Sequence, residues 1–386
     1  MRFFMSVRSY LAIALLLLSP LELMAGPGLR PPVVAANSFL IMDGDTGRVL
    51  VSKNENESYA PASLTKMMTG YVVSSEIASG HISMDDDVQI SVKAWKTPGS
   101  RMFIKEGTVV KLSDLFRGMV VQSGNDASVA LAEHVAGSEE AFADLMNINA
   151  QRLGMSNSYF SNATGLDDDN QYASAYDLAI LARAIINDYP ESYEIYSEKE
   201  FTYNDITQPN RNRLLFIDSD VDGLKTGYTS TAKYCMVTSA KKKDQRLITV
   251  IMGAESVKSR ISESQKLLTY GFRLFNKTPV YKSGEVISDF KVDYGVVDLV
   301  KLTVASDISV LIARGQEDDI SSNLIVKFDS FEAPIEKGEV LAQVHIMIAD
   351  EVVEKVDVIA AEGVERSGFF RRIFQGISYF FGNLFS

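Results

Sequence analysis

The sequence predicts an α+β domain, an antiparallel sheet packed with helices, followed by a small all-β domain and a C-terminal amphipathic helix. Three observations carry that reading. Between Ala36 and about Phe275, segments with apolar residues at helical spacing are mixed with segments that read as strands. Beyond them, "VDLVKLTVA", "ISVLIAR", "NLIVKF" and "EVLAQVHIMIA" are short, β-branched and separated by turn residues. The final "SGFFRRIFQGISYFFGNLFS" sets Phe369, Phe370, Ile373, Phe374, Ile377, Phe380, Phe381, Leu384 and Phe385 on one helical stripe. With 386 residues the chain has room for about two cores.

Taken in order, residues 1–25 have the layout of a secretory signal peptide: Arg2 and Arg8, an apolar run from Leu11 to Leu18, Pro20, and a cleavage position after Ala25. The run is too short for a stable membrane span. Residues 26–277 make the larger domain. In it "NSFLIMDGDTGRVLVSKN" reads as a hairpin around Asp43 to Gly47, and "PASLTKMMTGYVV" as a helix whose Leu64, Met67, Met68, Tyr71 and Val72 share a buried face. "KLSDLFRGMVVQSGNDASVALAEHVAG" reads as two helical stretches broken near Gly124, and "YDLAILARAIIND" as an amphipathic helix. "AKYCMVTSA" and "RLITVIMGA" are strands joined by a charged turn. Residues 278–362 form the all-β domain, which carries no site chemistry and reads as a spacer or interaction module. Residues 363–386 form the anchoring helix. Its 17-residue apolar stripe, at ~1.5 Å per residue, reaches about 26 Å and falls short of the roughly 30 Å hydrocarbon core. It should lie in a membrane interface rather than cross it.

Composition narrows the function classes. Lys and Arg number 38 against 50 Asp and Glu, a net charge of −12, which argues against nucleic acid as a partner. Loss of residues 1–25 removes two arginines and one glutamate, leaving 36 − 49 = −13. Cys235 is the only cysteine, so no intramolecular disulfide forms, and its place in a strand reads as a buried structural thiol. Three scattered histidines, His81, His134 and His345, supply no metal-ligand spacing, and no cofactor is expected.

The chemistry rests on a lysine in a buried helix face. Ser-x-x-Lys occurs four times, at Ser63, Ser230, Ser239 and Ser288, but only the first opens a buried helical pattern behind a proline, Pro61. Residues three apart share a helix face, so Lys66 can reach the Ser63 hydroxyl and, if burial and a second cation lower its pKa, take its proton. "DGLKTGYTSTAKYC" supplies that cation in Lys225, followed by Thr226 and Gly227, where a glycine lets a substrate backbone approach a strand edge. Of three Ser-x-Asn occurrences, at Ser52, Ser123 and Ser321, only Ser123-Gly124-Asn125 falls at a helix break suited to a cleft.

In that order, Ser63-Leu64-Thr65-Lys66, Ser123-Gly124-Asn125 and Lys225-Thr226-Gly227 resemble the penicillin-binding, active-site-serine family, and specifically its low-molecular-weight D-alanyl-D-alanine carboxypeptidases. "NATGLDDDNQYASAYDLA" and "KSRISESQKLLTYGFRLF" also look like family segments, and the resemblance covers nearly the whole chain. It implies a β-lactamase/transpeptidase-like catalytic domain acting on peptidoglycan stem peptides that end in D-Ala-D-Ala. It also implies covalent inhibition by β-lactams and a place on the periplasmic face of the bacterial inner membrane. By the same resemblance Ser63 is the nucleophile, Lys66 its base, and Ser123 the relay to the leaving amine. Asn125 binds the substrate amide. Lys225 keeps its charge and holds Ser123, Thr226 and Arg260 anchor the substrate carboxylate, and the backbone N–H groups of Ser63 and Tyr228 form the oxyanion hole.

Two departures stand out: the best-known members have histidine where this chain has Tyr228, and often where it has Thr164. The alternatives are a DD-endopeptidase, a weak β-lactamase, or a non-enzymatic peptidoglycan-binding scaffold. A class A β-lactamase needs Glu-x-x-Leu-Asn well before Lys-Thr-Gly, and "EFTYN" at Glu200 to Asn204 ends too near Lys225 and reads as a surface strand. A scaffold would be free to lose Ser63, Lys66 or Lys225, and all three are present.

Overall fold

In the computed structural model, which describes residues 30–373, the main strands of the larger domain are β1 (Ser38–Asp43), β2 (Val49–Lys53), β3 (Val221–Thr229), β4 (Lys233–Lys242) and β5 (Gln245–Ala254). They form one antiparallel sheet in the order β2-β1-β5-β4-β3. The predicted hairpin is β1–β2, its turn held by Asp43, which accepts from Asp45 N at 3.2 Å and Thr46 Oγ1 at 2.6 Å. This first hairpin joins the last one, β4–β5, with Leu40 opposite Val250.

The continuous apolar run of β5 has its cause in that central place. Ile248, Val250 and Met252 enter the core on one face, and Leu247, Ile251 and Ala254 enter the core on the other. On the first face lie α1 (Lys66–Ala78), α2 (Leu112–Val121), α3 (Asn125–Ala136), α4 (Glu139–Arg152) and α5 (Ala175–Asp188). On the second lies α6 (Val257–Leu274). Serine caps start three of these helices: Ser138, Ser174 and Ser256 accept from the backbone N–H three residues on. The face expected of α1 is buried, with Leu64, Met67, Met68, Tyr71 and Val72 all in the core.

The small domain contains β6 (Phe275–Tyr281), β7 (Val286–Asp293), β8 (Leu299–Val304), β9 (Ile308–Ala313), β10 (Ile320–Ile325), β11 (Phe331–Glu332), β12 (Val340–Ile348) and β13 (Glu351–Ala360). Six of them pair in the order β10-β12-β13-β8-β7-β11, and β6 pairs with β9. Its core is apolar, built on Val300, Leu302, Val310, Val344, Ile346 and Val358. The domains are joined directly. Phe275, Leu311 and Ala313 belong to the same cluster as Leu247 and Leu267 under α6, Arg48 Nη1 donates to Leu311 O at 3.0 Å, and Lys277 pairs with Asp45 at 2.5 Å.

The signal peptide expected over residues 1–25 lies outside the described residues, as do residues 374–386. The helix expected over 363–386 starts later than predicted. Val364 and Arg366 make antiparallel bridges to Ile335 and Gly295, so the chain is still extended there, and helical turns begin at Phe369. Among the described residues no helix is long and apolar enough to cross a membrane.

Candidate active site

Ser63 does not sit on the α-helix itself but on a 3₁₀ turn, Ala62–Thr65, that leads into α1. Pro61 precedes that turn rather than occupying its first position. The tighter turn brings Ser63 and Lys66 together: Nζ of Lys66 donates to Ser63 Oγ at 3.2 Å. The other two donors of the amine go to Asn125 Oδ1 at 2.7 Å and the Thr164 carbonyl at 2.5 Å. Lys66 is 1% exposed. Burial lowers its pKa to about 7, against the opposing pull of the Asp126 and Glu139 carboxylates. Both carboxylates are held elsewhere, Asp126 by the backbone N–H groups of Met102 and Phe103, Glu139 by Ala163 N and Lys93.

Three separate elements close around this pair. The break between α2 and α3 puts Ser123 in the left-handed region at φ 63°, buried, its Oγ without a hydrogen-bond partner. Asn125 opens α3, and its Nδ2 donates to Pro98 O at 2.7 Å, so both ends of its amide are engaged. Gly165, at φ +80°, passes so near the serine turn that a Cβ would lie 1.9 Å from Ala62 O. Only glycine fits there. Thr164 meets Lys66 through its carbonyl alone, while its hydroxyl donates to Asn162. The side-chain departure at this position therefore leaves the contact intact.

Edge strand β3 forms the opposite wall and carries Lys225, Thr226, Gly227 and Tyr228. Gly227 has a reason within the fold itself besides the one expected. The group that approaches it is the serine turn itself, and a Cβ would stand 3.0 Å from Pro61 O and 3.2 Å from Ser63 N. Lys225, 2% exposed, donates to Thr226 O at 3.2 Å and makes no hydrogen bond to Ser123. Burial, and after it the charges of Lys66, Arg260 and Arg211, push its pKa well below the ordinary lysine value. Tyr228 is 53% exposed, with its ring 4.4 Å from that of Tyr234.

Arg260 stands on α6, behind the sheet. It donates to Gly227 O at 3.0 Å and Cys235 O at 3.4 Å, over the Tyr234 ring, and does not line the cleft. The cleft, of about 370 Å³, is lined by Ser63, Ser100, Asn125, Gly165, Tyr228 and a cation that sequence reasoning missed, Arg211. Arg211 lies 3.5 Å from Ser100 Oγ. Its only sequence signal is the polar "QPNRNR" run between two predicted elements, which does not say where the run folds. Cys235 is buried and its thiol pKa is pushed up to about 11, as suits a structural residue. Among the described residues no group of His, Cys, Asp and Glu is placed to hold a metal ion.

A hydroxyl touching a buried amine of lowered pKa, in a cleft that a second cation, Arg211, also lines, is equipped for nucleophilic acyl transfer. The family model for D-alanyl-D-alanine carboxypeptidase matches residues 27–256, the domain that holds this cleft. The chain belongs to the D-alanyl-D-alanine carboxypeptidase family. The model for the C-terminal domain of penicillin-binding protein 5 matches residues 275–366 of this carboxypeptidase, the β domain. The D-alanyl-D-alanine carboxypeptidase DacC of Escherichia coli is 40% identical over 383 residues, 96% of each chain. Penicillin-binding protein 5 from Haemophilus influenzae superposes with a TM-score of 0.79 at 40% identity, covering 88% of this chain and all of that one. Penicillin-binding protein D2 from Listeria monocytogenes in the ampicillin-bound form superposes with a TM-score of 0.59 at 28% identity, over 63% of this chain and all of its own. The fold is thus the penicillin-binding one, with an all-β domain appended, and the protein is a serine-type peptidase.

Proposed function

We propose that this carboxypeptidase removes the terminal D-alanine from peptidoglycan stem peptides through an ester on Ser63. The observation that carries the reading is the set of three contacts around Lys66 Nζ. An uncharged amine has two N–H bonds and one lone pair. Asn125 Oδ1 and Thr164 O, at 2.7 and 2.5 Å, take the two N–H bonds, which leaves the lone pair for Ser63 Oγ. With a pKa of about 7, a large share of the amine is uncharged at neutral pH.

In the first step Ser63 Oγ attacks the carbonyl between the two D-alanines and its proton passes to Lys66. The C–N bond then breaks as Ser123, whose unpartnered hydroxyl faces no competing acceptor, relays a proton to the leaving amine. Water hydrolyses the ester and restores Ser63. The backbone N–H groups of Ser63 and Tyr228 hold the developing oxyanion, where one donor is worth about 3 to 4 kcal/mol. The substrate carboxylate docks by Thr226 and Arg211. Arriving there, it raises the pKa of Lys225, which keeps the proton that burial would otherwise strip from it. Arg260 acts from behind, holding Gly227 and with it the edge of β3. Asn125 exchanges its Pro98 contact for the substrate amide.

We place the enzyme outside the cytoplasm, exported by residues 1–25 and held peripherally on the membrane by residues 369–386. The test is chemical. Purified protein incubated with a peptide ending in D-Ala-D-Ala should release D-alanine. With penicillin, mass spectrometry should find the penicilloyl adduct on the peptide containing Ser63 after minutes, because the tethered leaving group shields the ester. Penicillin hydrolysed over many turnovers with no adduct trapped would replace the reading with a β-lactamase.

A further inference from the structure

We infer that the loop joining β7 to β8 is a second membrane contact, an apolar pad that enters the lipid interface beside the terminal helix. The inference rests on the reading that residues 369–386 bind membrane. Four hydrogen bonds, one of them also an ion pair, tie the loop to the chain where the helix starts. Val296 N donates to Glu365 O at 2.9 Å and Ser367 N to Tyr294 O at 2.7 Å. From the helical turn itself, Arg371 donates to Val296 O at 2.8 Å and pairs with Asp298 at 2.9 Å.

On this seam Val296, Val297 and Leu299 are 45%, 48% and 54% exposed, beside Phe369, Phe370 and Ile373 at 64%, 77% and 43%. Six large apolar side chains from two tethered segments are more than singly scattered surface residues. Leu299 shows that the pad is not a flaw in the core: β8 alternates, with Val300 fully buried on the inner face and Leu299 turned away from it. Two of the local carboxylates are paired, Asp298 with Arg371 and Glu332 with Arg366, which lowers the cost of bringing this end of an acidic protein to a bilayer. The occupant is lipid rather than a protein partner because of what the sequence continues with. The residues after Ile373 add Phe374, Ile377, Phe380, Phe381, Leu384 and Phe385, leaving from this same seam.

The test uses the full-length chain with Val297→Cys, labelled with an environment-sensitive fluorophore; Cys235, 1% exposed, stays unlabelled. Lys105→Cys, exposed on the catalytic domain, is the control. On vesicles of phosphatidylethanolamine and phosphatidylglycerol the probe at 297 should shift to the blue and be quenched by nitroxide-bearing lipid, while the probe at 105 does neither. Val296→Asp with Val297→Asp should weaken vesicle partitioning roughly tenfold with activity on a soluble peptide unchanged. Cosedimentation with no change at 297 overturns the loop contact and leaves the helix reading standing. A probe already blue-shifted without vesicles, and released by truncation after Gly368, shows that the chain's own tail covers the pad and overturns it too. A full-length chain that does not cosediment at all overturns both, and sedimentation reveals that before any spectrum is taken.

Discussion

The catalytic cleft and the β domain solve opposite problems with the same materials. At the cleft and directly behind its β3 wall, Lys66, Lys225 and Arg260 are all buried, none has a carboxylate ion-pair partner among the described residues, and Ser123 is held at a positive φ with its hydroxyl unpartnered. In the β domain the core is apolar and the charges lie at the surface, several of them paired, such as Arg366 with Glu332 and Arg371 with Asp298. The difference teaches where stability is given up. Unpaired buried cations lower the stability of a fold, and here they gather at the serine turn and at the strand that faces it, Lys66 on Ser63, Lys225 within β3 and Arg260 against its back, which is the pattern of a reacting site rather than a structural one.

The sharpest break of that contrast is Ser63→Ala. It should lower D-alanine release by at least about 10⁴-fold and abolish covalent labelling by penicillin. Unfolding free energy should stay within about 0.5 kcal/mol of wild type, because Ser63 is half-buried and Lys66 keeps its contacts to Asn125 and Thr164 when the hydroxyl is lost. Full-stoichiometry labelling of the variant would remove Ser63 from the mechanism.

Lys66→Met should stop acylation and also change how stability follows pH. The Lys66 pKa falls from its ordinary 10.5 to about 7 on folding, so between these values the unfolded chain binds the extra proton. Wild-type stability should therefore rise relative to Lys66→Met as pH increases from about 7 to about 10.5, by at most ~1.4 kcal/mol per pH unit. Lys225 acts in the same direction, since removing the Lys66 charge lifts part of the depression on it. Denaturant titrations of both proteins across that range measure the slope, and parallel curves would mean that folding leaves the Lys66 pKa near its ordinary value.

What the sequence made legible divides along the same line. Local signals sufficed for the Ser63–Lys66 turn, the helix break at Ser123-Gly124-Asn125, the hairpins and the β character of the second domain, because each depends on neighbours within a few residues. Contacts between distant segments were out of reach. The junction of β1 with β5 follows from closure of the sheet, and the arrival of Arg211 in the cleft follows from the path of a loop. Arg260 shows the same limit: the resemblance gave it the substrate carboxylate, and nothing local in the sequence says that it faces the back of β3 at Gly227. For Gly227, the need for a close approach was readable and the identity of the approaching group was not.

A smaller effect is expected on the other side of the comparison. Leu302→Ala, fully buried in β8, should cost about 2 to 5 kcal/mol of stability, seen by calorimetry, while kcat on a soluble peptide at room temperature stays at the wild-type value. A parallel loss of activity would mean that the shared cluster of Phe275, Leu311 and Ala313 transmits the damage into the catalytic core.

The smallest effect is expected within the cleft itself, at Tyr228→His, which restores the residue that the best-known members carry. If the cleft works through backbone donors, this side chain is a poor target. Tyr228 pairs with Tyr234 across β3 and β4, and that register, not the ring, fixes where its N–H points. The ring is half in solvent, so its main lost contact is the neighbouring Tyr234 ring at 4.4 Å, and an imidazole can still lie against that face. Acylation by penicillin should therefore change by less than about threefold, roughly 0.7 kcal/mol in the barrier. Preference among peptides and the lifetime of the penicilloyl ester should move more, because the side chain borders the space through which substrate and water reach Ser63. Stopped-flow acylation followed by decay of the adduct separates the two. A loss of more than about tenfold in acylation, with the register intact, would give the tyrosine side chain a part in the first step and end the claim that this wall of the cleft acts through its backbone.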